Sequence, residues 1–460
     1  MTRPAPAHAA ARVLRGSAIL LAESGVRVAV TALLSLWIAH RVGAAGFGLL
    51  TLASALAALG TVLMAQGLDL PLVARLARKA QPAHAAAAGR WLGAALVLRL
   101  AAALAVLALL VLVALWLRPH DTASQAVIMV VALCVLAYAP GVADMAFRAR
   151  AQAAPAAAAR LAATLLAALA KVLALVLHAS LVWLAWAIVL EAVLASAFLF
   201  WAWRQTGAAR LRWPGRRRLR VLWRQGAPLG VATLLSVAQI KADVLVLGAL
   251  AAGATVGHYA LAQKLGEVLL LVPVVVLDLS FAMLLRSAWP VAVQDTWLFD
   301  LASATAQGAA LLNALLAPLL VGLFFGADYA AAAPLAQVLG LGAVALALDA
   351  ARQRWLLRHG LQALAWRVGL LGLAVTLCLL ALAVPLGGAA AAAGAMVLAG
   401  LLTSALAPWL DVRLRPLAAL QWHALWPWHR LWRGRVLSGL RCVRPRRRSA
   451  AARRASAVAP

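Results

Sequence analysis

Long apolar runs separated by short polar connections dominate the chain. Runs of about 20 residues, the length at which a helix crosses the ~30 Å hydrocarbon layer of a bilayer, occur near 17–39, 48–70, 91–117, 125–147, 161–179 and 181–203. After a basic stretch they resume near 227–250, 259–285, 301–324, 333–351, 368–386 and 390–410. The pattern predicts an all-α integral membrane protein with about twelve transmembrane helices. The narrowest divisions, at His178–Ser180 and Pro385–Gly388, leave only a few residues for a turn. The first run follows Arg3, Arg12 and Arg15, as the core of a secretion signal would, but it continues to about Ile38 and a second span follows. It is read as an anchor that stays in the membrane as the first helix.

Composition removes the soluble alternatives. Of 460 residues 66% are hydrophobic and 12% charged, with a mean hydropathy of +0.94, too apolar for a surface that faces water. A net charge of +29 would point a soluble protein toward nucleic acid, but here the basic residues lie between apolar runs and in one tail, which points to membrane topology and no nucleic acid. Positive residues stay on the cytoplasmic side of short connections. Most of the 42 Lys and Arg residues fall at the N-terminus, on alternate connections and in the tail after 410, while the opposite side holds Arg41 and Arg118. Both termini are therefore predicted cytoplasmic. The far-side connections are all short, so the chemistry is expected among the helices. Cys134, Cys378 and Cys442 lie far apart and predict neither a disulfide framework nor a zinc site.

The basic stretch from Arg204 to Arg224, with RLRWPGRRRLR at its heart, divides the spans six and six. The expected organisation is a first lobe over 1–203, a basic cytoplasmic linker over 204–226, a second lobe over 227–410 and a basic, Trp- and Arg-rich cytoplasmic tail over 411–460. At an offset of 209 residues the halves pair Gly48 with Gly257, and Leu68-Asp69-Leu70 with Leu277-Asp278-Leu279. An even number of helices per half gives the halves one orientation, as in transporters built from parallel repeats.

Several landmarks in order carry a resemblance. From Arg15 to Arg78 a basic pre-helix leads to a first helix ending in AHRVG, then FG, a second helix, and GLD followed by basic residues. IKADVLVLGALAAGATVGHYALAQKL lies at 240–265 and LFFGADYAAAAPLAQVLGLG at 323–342. Together these resemble the Wzx-type bacterial polysaccharide flippases of the multidrug/oligosaccharidyl-lipid/polysaccharide exporter superfamily. The resemblance implies two six-helix lobes that rock to alternate access. They would carry undecaprenyl-pyrophosphate-linked oligosaccharide across the bacterial inner membrane for O-antigen or exopolysaccharide synthesis. It implies membrane lipids, a polysaccharide polymerase and a chain-length regulator as partners, and no cofactor. Peptidoglycan-precursor flippases of the same superfamily typically carry two further C-terminal helices, where this chain has its basic tail.

Ionisable groups at membrane depth cost roughly 2.5–3.5 kcal/mol each at a helix centre, so they face cavities or one another. Glu23 and Arg27, four apart on the first helix, share a face and form either an internal ion pair or a cavity site in which Arg27 binds substrate phosphate. On the eighth span Lys264, Glu267 and Asp278 fall within about 60° of one another at 100° per residue. Lys264 suits a pyrophosphate, whose lost hydration charge-assisted hydrogen bonds offset; a pairing with Glu267 made only for packing is the alternative. On the seventh span Ser236, Gln239 and Asp243 share a face that is expected to meet the cavity, with Lys241 roughly opposite and reaching it by snorkelling or helix rotation. The expected cavity cations are thus Arg27, Lys264 and Lys241; the polar and coupling candidates are Glu23, Gln239, Asp243, Glu267 and Asp278. Arg99, Lys171 and Glu191 are read equally as inter-helix ties or as site groups. Asp69, Asp144 and Asp349 are expected to pair with Arg75, Arg148 and Arg352, and Asp69 and Asp278 to form gate contacts.

No Walker motif, clustered His/Cys spacing or Ser/His/Asp pattern appears, and GAAGFG at 43–48 has the wrong spacing for a dinucleotide fingerprint. The expected activity is therefore transport. The alternatives are a multidrug or cation antiporter of the same superfamily, which would use an acidic pocket, and, further off, a polytopic polysaccharide-modifying enzyme, which would carry a large extracytoplasmic loop.

Overall fold

The computed structural model describes residues 6–78, 85–150, 152–205, 211–251, 253–284 and 289–426. Thirteen α-helices account for nearly all of them, and the described residues contain no strand. Ten stretches among the described residues are long and apolar enough to cross a membrane. Two of these are too long for one crossing. Helix α1 runs Pro6–Ala65 and α12 runs Ala365–Leu406, which at 1.5 Å per residue would extend ~90 Å and ~63 Å, two to three times the hydrocarbon thickness. Both are broken. Gly43 sits at φ 75°, ψ 171° within α1, and Gly387 and Gly388 leave helical geometry within α12, the latter at φ 55°. Only glycine adopts these angles without a Cβ clash, so the GAAGFG stretch begins with the turn between the first two predicted spans. Divided at these points, ten stretches give the twelve spans read from the apolar runs.

The remaining elements are α2 (Asp69–Arg78), α3 (Ala85–Leu117), α4 (Thr122–Tyr138), α5 (Val142–Ala149), α6 (Ala153–Val176), α7 (Leu181–Gln205), α8 (Arg216–Leu250), α9 (Gly253–Leu284), α10 (Val291–Phe324), α11 (Ala332–Arg358) and α13 (Pro416–Ala424). Pro140 divides the fourth predicted span, because a proline has no N–H for the ladder; the chain makes a 3₁₀ turn over Ala139–Gly141 between α4 and α5. Pro273 and Pro318 lie inside α9 and α10 without interrupting them. Asp121 starts α4 by accepting the Ser124 backbone N–H at 3.0 Å. Helix α8 begins at Arg216, inside the stretch read as a linker, and its Leu222 is fully buried beside Leu68, Leu72 and Trp91.

The core follows the order of the chain. One apolar cluster joins Leu34, Leu56, Val106, Val131 and Leu184 of α1, α3, α4 and α7. Another joins Leu277, Phe299, Leu348 and Trp355 of α9, α10 and α11 with Leu417 of α13. A third crosses between the halves, placing Phe47 of α1 with Tyr259 of α9, Tyr329 and Leu380. Outward faces stay apolar: Leu33, Leu112, Leu315 and Leu382 are exposed, as suits surfaces that meet lipid tails. Exposed tryptophans gather at helix ends, with Trp116 closing α3, Trp183 opening α7, Trp223 opening α8 and Trp366 opening α12, where amphipathic rings meet the membrane interface. In the tail, α13 packs on α10 and leaves Trp422 exposed; Trp428 and Trp432 lie outside the described residues.

Candidate functional site

Among the polar groups inside the bundle, one assembly in each half gathers more cations than carboxylates. In the first half Glu23 is buried against two arginines: Arg27 donates through Nε at 3.2 Å and Arg160 through Nη2 at 3.3 Å. Arg160 also reaches Asp144 at 2.6 Å, and Arg148 holds the other oxygen of Asp144 at 2.7 Å. The assembly thus ties α1, α5 and α6 with three guanidinium groups on two carboxylates, an excess of one positive charge. Both ends of the chain of pairs are open, with the Arg27 side chain 43% and the Arg148 side chain 60% exposed.

In the second half Lys264 of α9 meets Glu267 at 2.6 Å and Lys241 of α8 approaches the same carboxylate at 4.0 Å. Two ammonium groups on one carboxylate again leave one positive charge over. Lys241, opposite Asp243 on its own helix, thereby joins the stripe of α9. Asp243 itself is buried and saturated: Tyr259 Oη donates at 2.8 Å, Gln263 Nε2 at 3.2 Å and the Val244 backbone N–H at 2.7 Å. Asp278 is part of α9, but its side chain lies outside the described residues.

Beside this stripe a cavity of about 220 Å³ opens between α8, α9, α11 and α12. Ser236, Gln239 and Asp243, the shared face of the seventh span, line it together with Glu267, whereas Lys241, Lys264 and Arg27 do not. Lys264 and Lys241 turn to Glu267, and Arg27 to Glu23, because an unscreened lysine or arginine at membrane depth takes the nearest carboxylate. The cation that does line the cavity is Arg352, paired with Asp349 on the same helix.

The simple pairings are partly redistributed. Asp144 with Arg148 and Asp349 with Arg352 form as expected. Asp69 is held by the buried Arg99 at 2.5 Å instead of by Arg75; Arg75 lies over the Trp91 ring at 4.1 Å and donates to Gln225 at 2.7 Å. Lys171 and Glu191 tie α6 to α7 at 2.7 Å, with Thr164 on the other oxygen at 3.0 Å.

The apolar runs at 161–179 and 333–351 stop one residue from Arg160 and Arg352, yet α6 begins at Ala153 and α11 continues to Arg358. A charge lowers a hydropathy window and closes the predicted span, although the backbone ladder runs on through it. The i, i+3 spacing of Asp349 and Arg352 on one helical face predicts the pair that forms, whereas Glu23, 137 residues from Arg160, gives no such signal.

The halves meet closely where α1 is broken. A Cβ on Gly257 of α9 would overlap the Ala44 carbonyl, and one on Gly48 would stand 2.7 Å from the Gly257 nitrogen. Tyr329 donates to the Ala39 carbonyl at 2.9 Å, Phe325 stacks edge-on against His40 at 6.3 Å, and Arg118 donates to the Gly248 carbonyl at 3.2 Å. The repeat mates Gly48 and Gly257 therefore face each other across this seam.

The sequence profile described as polysaccharide biosynthesis protein matches residues 13–279, more than half of the chain. The chain belongs to the polysaccharide biosynthesis protein family. It is a multi-pass membrane protein, and the likeness that its ordered landmarks carry to polysaccharide flippases holds at the level of the family. No curated protein matches it by sequence. Among solved structures it is similar in fold to lipid II flippase MurJ in an inward closed conformation, at 9% identity and TM-score 0.72, covering 88% of this chain and 91% of that one. It is similar to a multidrug resistance MATE family transporter of the MOP superfamily in an inward-facing conformation, at 14% identity and TM-score 0.66, covering 85% and 95%. A MOP superfamily transporter from Pyrococcus furiosus, described by the reverse polarity of its binding pocket, aligns at 14% identity and TM-score 0.56, covering 88% and 96%. At these identities the likeness concerns the fold: a family member with the all-helical architecture of these transporters.

Proposed function

We propose that the chain moves lipid-linked oligosaccharide across a bacterial inner membrane by alternating access between two six-helix lobes, 1–203 and 227–410, with both termini in the cytoplasm and undecaprenyl pyrophosphate as the carrier. The observation that carries this reading is the pair of polar assemblies with surplus positive charge, Arg27–Glu23–Arg160–Asp144–Arg148 and Lys241–Glu267–Lys264, inside a member of the polysaccharide biosynthesis protein family. A pyrophosphate entering the bundle loses hydration, and a cation already half-shared with a carboxylate replaces it at small reorganisation cost. Glu23 and Glu267 keep the cations in place when the site is empty. In the proposed topology the seam of Gly48, Gly257 and Tyr329 lies at the extracytoplasmic end, opposite the side on which the substrate is made.

The full chain in proteoliposomes, supplied with a fluorescent undecaprenyl-pyrophosphate-linked trisaccharide, tests the reading. Wild type is expected to move the lipid between leaflets, and Arg27→Ala and Lys264→Ala to lower the initial rate at least tenfold. Normal rates in both stably inserted variants would discard the cation site, and an immobile lipid with wild type would discard the function.

A second reading, export of organic cations, draws on Asp243, Glu267 and Asp349 around the second-half cavity. Uptake of tetraphenylphosphonium by the same vesicles distinguishes it.

A further inference from the structure

The charges of the second-half cavity are mostly spent within the protein. Glu267 is neutralised by Lys264, Asp349 by Arg352, and Asp243 accepts from three neutral donors. A negatively charged ligand there would face three carboxylates, and a cation would face Arg352 with two lysines behind Glu267. Several groups remain unused. Arg352 is buried and its Nη1 has no hydrogen-bond partner; the Thr376 hydroxyl, fully buried in the same wall, has none either. Gln353, beside Arg352, is exposed on the cavity wall, and Gln239 reaches the wall from α8. An unsatisfied buried donor costs about 1–3 kcal/mol, and this cost is recovered when a ligand supplies the missing partner.

The remaining valences are mixed donors and acceptors without net charge, the complement of hydroxyl groups that each donate and accept. The shape agrees. The lining runs along α11 from Leu339 to Leu356, roughly 25 Å at 1.5 Å per residue, yet the volume is about 220 Å³, below the ~300–1,000 Å³ of sites for compact drug-sized ligands. The cavity is long and slender, and no Phe, Tyr or Trp lines it, so it offers an organic cation no aromatic face.

We infer that this cavity is the glycan subsite: it takes a neutral, hydroxyl-rich saccharide chain, with Arg352, Gln239 and Gln353 as its specificity-determining polar groups, separately from the cations assigned to the pyrophosphate. The inference rests on the flippase reading for its role in transport, but the binding stands or falls by itself.

Saturation-transfer NMR on the full chain in lipid nanodiscs tests it, with three probes: the methyl glycoside of a neutral trisaccharide, the same trisaccharide ending in a uronic acid, and tetraphenylphosphonium. Gly266→Leu fills the cavity, because Gly266 lines it and a Cβ there meets nothing within 4 Å. Gln353→Leu removes an amide at little change in volume, and Arg352→Lys keeps the charge while losing the forked donors. Wild type is expected to saturate the neutral trisaccharide most strongly, with at least a fivefold loss in Gly266→Leu and Gln353→Leu, the two substitutions that leave the buried pairs intact. No transfer to the neutral trisaccharide, equal transfer in these variants, or stronger transfer to the uronate or the phosphonium would overturn the inference. Failure of the flippase reading shows differently: trisaccharide bound by the nanodisc protein while the lipid-linked form stays immobile in the vesicles.

Discussion

Asp243 is a buried carboxylate held by neutral donors, since it is 1% exposed and, among the described residues, no lysine or arginine reaches it within ion-pair distance. Its charge is spread over the Tyr259 hydroxyl, the Gln263 amide and the Val244 N–H, and each bond to an ionised acceptor contributes more than a neutral one. Tyr259→Phe removes one donor and leaves the ring in place. The expected outcome is a loss of about 1.5–3 kcal/mol, read as a lower midpoint of thermal unfolding in detergent, whereas Asp243→Asn/Tyr259→Phe together should lose less than the sum of the two. An unchanged midpoint for Tyr259→Phe would show that Asp243 does not depend on it. Glu23 illustrates the opposite solution, a buried carboxylate between two guanidinium groups. The sequence allowed Glu23 to be paired with Arg27 by spacing alone, but not with Arg160, which lies 137 residues away and becomes its neighbour only when α6 packs on α1.

At the scale of elements, the close approach of α1 and α9 depends on residues without side chains. Glycine pairs let backbones come near enough for tight van der Waals packing, the main attraction between helices in lipid. Gly257→Val would place two methyl groups in the Ala44 carbonyl and force the helices apart. In a chain with Cys134, Cys378 and Cys442 replaced by Ala, a cysteine at His40 should then react several-fold faster with a membrane-impermeant maleimide than it does beside the native Gly257. Unchanged labelling would mean that Gly257 does not hold the seam together. The helix boundaries show how far an apolar pattern reaches. It located the break at Gly43 and the turn at Gly387–Gly388 because polar or small residues interrupt the runs there. It ended α6 and α11 short of Arg160 and Arg352 because hydropathy records side chains, while helix ends are set by backbone hydrogen bonds and packing.

For the whole molecule, the asymmetry of Lys and Arg predicts which end of the bundle faces the cytoplasm. A single cysteine at Arg217 should be protected from an impermeant maleimide added to intact cells, and one at His120 should react; the reverse result would invert the topology and place the Gly48–Gly257 seam inside. The same asymmetry accounts for where the net charge of +29 is placed, on alternate connections and in the tail instead of within the apolar runs.

The sequence by itself determined the class, the number of crossings and the polar face of Ser236, Gln239 and Asp243 on the seventh span, because hydropathy and helical periodicity are local properties that twenty consecutive residues express without help. Only the tertiary structure decided which carboxylate each cation holds: Arg99 with Asp69, Arg160 with Glu23 and Asp144, and Lys241 with Glu267. It also made Arg352 the cation of the second-half cavity. Those choices depend on which helices lie side by side, and at membrane depth, with no water to serve as an alternative partner, a charge is committed by its spatial neighbours more than by its neighbours in the chain.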